Sequence, residues 1–174
     1  MTLTAEQALF ISRITLPTLK NEHQITKRMI EAIPPDRADY RPDNIVRSAK
    51  DLAWHIVAAE NTFLSGIAAG AFSTQSGLRA DDMKDTTAIA AWYATQFAAN
   101  MERLNGLSGE DWLRVVDFRG IFQLPAFAYL NFAINHTIHH RGQLSTYLRP
   151  MGAKVPSIYG QSYDDAQAAA GRGV

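Results

Sequence analysis

The sequence predicts an all-α fold, a four-helix bundle, and three observations carry that expectation. Four long segments repeat apolar residues at intervals of three and four. Proline, glycine and clustered aspartate punctuate the joins between them. No apolar–polar alternation lasts long enough to support a sheet. Residues 1–160 read as one such domain, and residues 161–174 as a small, polar, loose C-terminal tail.

The first helix opens on Thr4-Ala5-Glu6-Gln7, which fits a capping box with Gln7 reaching back to Thr4. Leu9, Phe10 and Ile14 supply its first apolar positions, and Pro17 predicts a kink or restart. Leu19, Ile25, Met29, Ile30 and Ile33 continue the pattern until Pro34-Pro35 stops it, so the element spans roughly residues 5–33. Three prolines and several aspartates make Pro34 to Arg47 a loop. Ser48 then caps a second helix, with Asp51 in its first turn to complement the helix dipole. That helix carries Leu52, His55, Ile56, Ala59 and Phe63 and fades at Gly66 and Gly70. A polar stretch from Ser73 to Asp85 reads as a mobile connection. The third helix, near Thr86 to Leu104, has the stripe Ile89, Trp92, Tyr93, Phe97 and Met101. Gly106-Leu107-Ser108-Gly109 breaks the chain, and Ser108 suits the cap of a short turn through Trp112-Leu113. Val115 to Phe118 forms at most a short extended piece. The fourth long helix is expected from Pro125, as a first-turn proline, to Leu148, where Pro150-Met151-Gly152 ends it.

With 174 residues and 19.3 kDa the chain is sized for one domain. Apolar residues at 47% and charged ones at 20% place it among ordinary globular proteins. Lysine plus arginine equals aspartate plus glutamate, 17 each, which argues against a nucleic-acid partner and leaves little repulsion between copies. There is no cysteine. Disulfides, thiolate metal sites and cysteine nucleophiles are therefore excluded, and any metal site must use histidine, carboxylate and water. Met1 to Glu6 lacks the basic start of a signal peptide, and the charge-free runs Asn61–Leu78 and Gly120–His140 are too polar to span a membrane. No membrane partner and a cytoplasmic location are expected.

The five histidines are the informative residues. His136 and His140 are four apart on a helix, so they share a face with Cβ atoms about 5–6 Å apart. That face continues as Tyr129, Phe132 and Ala133 on one side and Gln143, Leu144 and Tyr147 on the other, which points the pair inward. His55 holds a comparable place among Leu52, Ala59 and Phe63. Three imidazoles directed into one interior can be satisfied together by a divalent cation, and three protein ligands with a fourth position for water is the pattern of a catalytic site. Asp51, one turn before His55, is placed to accept a proton from a ligand's far ring nitrogen. Each histidine taken alone is read as a hydrogen-bonded core or surface residue sooner than as a ligand, and periodicity by itself does not set the two helices face to face. His139 falls at the edge of the face, as a rim or substrate-facing group. His23, between Glu22 and Gln24, is expected at the surface.

The run Asn135-His136-Thr137-Ile138-His139-His140-Arg141-Gly142-Gln143-Leu144, followed by Val155-Pro156-Ser157-Ile158-Tyr159-Gly160, resembles the C-terminal signature of the DinB-like (DinB/YfiT) superfamily. Leu52-Ala53-Trp54-His55-Ile56 is similar to that family's first ligand motif, and Tyr40-Arg41-Pro42 also fits. The resemblance implies a four-helix bundle holding one divalent metal, commonly nickel or zinc, through His55, His136 and His140. It also implies a homodimer. Characterised relatives include transferases and an isomerase that use low-molecular-weight thiols, and proposed metal-dependent hydrolases.

Two functional classes follow. In the first, the site is enzymatic: an open metal position activates water for hydrolysis, or a small-molecule thiol for transfer to a small-molecule substrate. Gln143 then orients the substrate, Tyr129 and Tyr147 line the pocket, and Arg141 either binds an anionic group or makes an intersubunit or surface salt bridge. In the second class, the chain is a non-catalytic, stress- or damage-inducible metal-binding protein whose ion stabilises the bundle. A serine hydrolase is set aside, because no G-x-S-x-G elbow exists.

Overall fold

The structure, a computed structural model, describes residues 3–73 and 78–171. Helix α1 (Ala5–Glu31) begins on the expected capping box: Thr4 Oγ1 accepts the Gln7 N–H at 3.2 Å, and Gln7 Oε1 accepts the Thr4 N–H at 3.0 Å. It runs unbroken through Pro17, where a kink or restart was expected. Pro17 and Arg13, whose carbonyl the ring deprives of a partner, both lie on the exposed side of the helix. The buried face also differs from the expected one. Phe10 and Ile14 are 62% and 57% exposed, while Ala8, Ser12, Leu16, Leu19, His23, Thr26 and Ile30 are buried. Polar members hide that stripe from a hydrophobicity count. Ser12, for example, satisfies its hydroxyl on the Ala8 carbonyl at 2.8 Å.

Helix α2 (Ala49–Ala69) starts at Ser48, whose Oγ accepts the Asp51 N–H at 3.1 Å. It ends at Gly70 with a φ of 70°, the left-handed cap that glycine adopts without a Cβ clash. Residues 74–77 of the polar stretch that follows lie outside the described residues. Helix α3 (Thr86–Asn105) is capped by Asp85 Oδ1, which accepts the Ala88 N–H at 2.8 Å. The short α4 (Gly109–Leu113) is capped by Ser108.

Residues 115–125, expected to hold no sheet, form an antiparallel hairpin. Strand β1 (Val115–Phe118) pairs with β2 (Phe122–Pro125), Val115 opposite Pro125 and Phe118 opposite Phe122. Its turn places Arg119 and Gly120 at φ 57° and 73°, and the Ile121 N–H donates to the Phe118 carbonyl at 3.0 Å. Four-residue strands are too short to show an alternating pattern, which is why periodicity missed them. Pro125 accordingly ends a strand and does not open a helix. The Ala126 and Phe127 N–H groups donate back to the Arg114 and Trp112 carbonyls at 2.9 and 3.1 Å, and α5 (Ala128–Leu148) begins only after them. The Tyr129 hydroxyl lies 2.8 Å from the Val116 carbonyl and 3.2 Å from that of Phe122, which ties α5 to both strands.

The segment expected as a loose tail contains α6 (Tyr163–Ala170), capped by Ser162. Asp164 on α6 accepts from the Val155 N–H at 2.8 Å and from Arg149 at 3.0 Å. The principal helix contacts join α2 to α3 and α5, and α1 to α3, α4 and α5. The protein is thus mostly helical. The four long helices are those expected, and α4 is the short Ser108-capped turn expected through Trp112-Leu113; α6 and the hairpin were not resolved by pattern. The core divides into one cluster around Phe63, Tyr129 and Leu130 and another around Ile30, Ile56 and Tyr93, the α2–α5 contact passing through both. No helix among the described residues is long and apolar enough to cross a membrane.

Candidate metal centre

Packing α2 against α5 brings His55, His136 and His140 together. The i, i+4 spacing on α5 stacks His136 and His140 with ring centroids 4.4 Å apart, and the His55 ring lies 4.9 and 4.5 Å from them. One ring nitrogen from each falls within 4.8 Å of the others, and His55 Nε2 is 3.2 Å from His140 Nε2. Two tetrahedral ligand nitrogens at Zn–N of about 2.0–2.1 Å stand about 3.3 Å apart, so this spacing suits a shared cation. All three rings are half-buried.

Burial is the largest cause of depressed basicity at each ring. Burial, then the charges of Arg47 and His140, bring the pKa of His55 down to about 4. Burial and the neighbouring histidines bring His136 down to about 4. His140 is also lowered, chiefly by burial, although its bond to Gln143 opposes this. Neutral imidazoles are what a metal requires. The donor set therefore fits a divalent transition metal, and the buried His136 Nδ1, which has no hydrogen-bond partner among the described residues, marks a polar atom the protein alone does not satisfy.

The same shifts set a pH dependence for metal-free protein. Above pH about 6.5 these histidines are neutral in both folded and unfolded chains. As pH falls from there toward about 4, the unfolded chain takes up protons that the folded site resists, so stability drops through that window. Urea midpoints at pH 7.5 and 5 should show the fall, and a His55→Gln variant should show a smaller one. Equal slopes in the two proteins would remove the site as its source.

Gln143 sits beside the cluster. Its Oε1 accepts from His140 Nδ1 at 2.6 Å, which leaves the His140 Nε2 lone pair directed at His55. The comparable bond expected from Asp51 to a ring nitrogen is not among those of the described residues. The Asp51 carboxylate lies 3.3 Å from Arg41 Nη2, since its place at the start of α2 turns it toward the preceding loop. His139 is exposed, its ring 4.8 Å from that of His140, as a rim residue would be. Tyr147 lines the cleft over the histidines, whereas Tyr129 is buried and holds the hairpin.

Two further expectations fail. His23 is 2% exposed: it stacks on Phe97 at 3.7 Å and faces Glu60 Oε1 at 3.6 Å. Arg141 is neither a surface nor a pocket residue. At 1% exposure, its guanidinium bonds Glu22 Oε2 at 2.5 Å and the Tyr159 hydroxyl at 2.8 Å. Glu60 was overlooked. Buried on α2, it accepts from Tyr93 at 2.8 Å and from Thr137, next to His136, at 3.0 Å. Its spacing of four from Ile56 and three from Val57 was the available signal.

The cleft above the cluster has a volume of about 1240 Å³ and includes His55 and His140 in its wall. Comparison with known proteins supplies the relationship. The chain is 28% identical over 143 residues to the uncharacterized protein YjoA of Bacillus subtilis (strain 168), covering 81% of this chain and 91% of YjoA. A DinB-like protein from Bacillus cereus ATCC 10987 superposes with a TM-score of 0.72 at 26% identity, covering 83% of this chain and 95% of that one. The crystal structure of YjoA, also described as DinB-like, gives 0.68 at 26% identity, covering 87% and 99%. The DinB family model matches residues 14–172, and with the fold and the three-histidine cluster already in place, the chain belongs to the DinB family.

Proposed function

We propose that His55, His136 and His140 hold one divalent metal ion, nickel or zinc, and that the chain is a metal-dependent enzyme. The observation that carries this reading is three half-buried imidazoles converging on one point, two of them, His55 and His140, in the wall of a cleft. Such an ion, when bound, supplies a Lewis-acid position that lowers the pKa of water to about 7 or keeps a thiol as thiolate. The absence of cysteine means any thiol comes from a small molecule. Gln143 fixes the tautomer of His140 through Nδ1. Trp54 and Tyr147 give the cleft an apolar wall for a small-molecule substrate. The homodimer that the resemblance implies belongs to the same reading, with the exposed Phe10 and Ile14 of α1 as apolar surface available to a second copy.

Cobalt-substituted protein tests the open position. Its visible spectrum should shift when azide or a small thiol is added, and water relaxation should show an exchangeable ligand. A spectrum indifferent to both, with four protein ligands, would transfer the site to the non-catalytic, structural class.

A further inference from the structure

The cleft over the histidines is cationic in a protein whose formal charge is zero. Arg41, Arg47 and Arg79 line it together with one carboxylate, Asp51. That carboxylate is already matched: Arg41 lies 3.3 Å from Asp51 through Nη2 and 3.2 Å from the Val46 carbonyl through Nη1. Arg41 is thereby fixed as part of the wall. Arg47 and Arg79 are exposed, and among the described residues neither guanidinium has a hydrogen bond or ion pair.

Arg47 is the better placed of the two. It immediately precedes Ser48, the buried cap of α2, and its carbonyl accepts from the Tyr147 hydroxyl of α5 at 3.3 Å. Its backbone is thus held between the two helices that carry the histidines, two helical turns before His55. An exposed arginine is ordinarily just solvated. Here two uncommitted guanidinium groups and two histidine rings share one concave space, whose remaining wall includes Leu52, Trp54 and Tyr147.

We propose that Arg47, supported by Arg79, binds an oxyanion, a carboxylate or phosphate, on a small molecule whose apolar body lies against Trp54 and Tyr147. A guanidinium fork matches either anion with two parallel hydrogen bonds, and lysine does so less well. The inference rests on the proposed metalloenzyme reading for the meaning of the cleft, but its test does not depend on metal.

Phenyl phosphate and benzoate are titrated calorimetrically at pH 8 into metal-free and zinc-loaded protein, with benzyl alcohol as the neutral control. At least one anion should bind the metal-free protein, more weakly as salt rises. Arg47→Gln should weaken it about tenfold, Arg79→Gln by less, and Arg47→Lys should recover part of the loss. The arm that binds tells carboxylate from phosphate. Zinc uptake by Arg47→Gln, measured by elemental analysis, should match the wild type. Equal binding by Arg47→Gln and wild type, equal binding of benzyl alcohol, or binding of neither anion without zinc would each overturn the assignment. Failure of the wild type to take up zinc while Arg47→Gln still loses the anion would sink the metal reading and leave this one standing.

Discussion

Replacing His136 or His140 with alanine is expected to take metal content from close to one ion per chain to nearly none, with His55→Ala doing the same. The three rings supply every clustered donor found among the described residues, so deletion of one leaves two. Loss of a partner around a metal site commonly costs about 10–100-fold in affinity, and loss of a ligand should cost more. His139→Ala is the control on the same helix. Its ring is exposed and beside His140, so the variant should retain the ion. Elemental analysis and zinc competition read the outcome. Equal loss in His139→Ala would mean that the cluster is not the site, and wild-type protein that refuses both zinc and nickel would end the proposal. Gln143→Ala should fall between, about tenfold weaker, because His140 would lose the acceptor that holds its tautomer.

Arg141→Ala should produce the largest loss of stability. The pair with Glu22 is 2% and 5% exposed at its side chains, so removing the cation strands a carboxylate in the interior with the Tyr159 hydroxyl as its remaining partner among the described residues. Breaking one side of such a pair costs about 3–5 kcal/mol. For a chain of this length that is roughly a 10 °C fall in Tm, readable by denaturant and thermal melts. A double replacement, Arg141→Met with Glu22→Leu, should regain much of the loss, since well-packed apolar substitutes for a buried pair are often neutral. A single-variant cost below about 1 kcal/mol would show that the pair is solvated in solution.

The helices and the His136–His140 pair were legible because each depends on local spacing, whereas the approach of His55 from α2 was implied by the resemblance and not by spacing. Ser48 and Gly70 bound α2 by cap chemistry, and the i, i+4 pair on α5 needs only helical geometry to converge. What escaped depends on partners distant in sequence. Nothing near Glu22, His23 or Arg141 announces burial. Their companions Glu60, Tyr93 and Tyr159 arrive from α2, α3 and the segment after α5. The face of α1 was misjudged for the same reason, since its inner stripe carries serine, histidine and threonine while Phe10 and Ile14 look outward. The hairpin escaped because its order comes from pairing and from the Tyr129 hydroxyl, not from periodicity. Asp51 was assigned by its turn on the helix, but a loop arginine claimed it.

The interior charges also constrain inheritance. Glu22, Arg141 and Tyr159 form a three-way lock, the phenol 3.0 Å from the same Glu22 oxygen that the guanidinium engages. Glu22 and Arg141 are the obligate pair, since either alone leaves a buried charge without its counter-ion, whereas Tyr159 is 66% exposed and its loss leaves that pair in contact. Exchange of either charged residue should therefore be tolerated only together with the other, a coupling independent of whatever chemistry the neighbouring cleft performs.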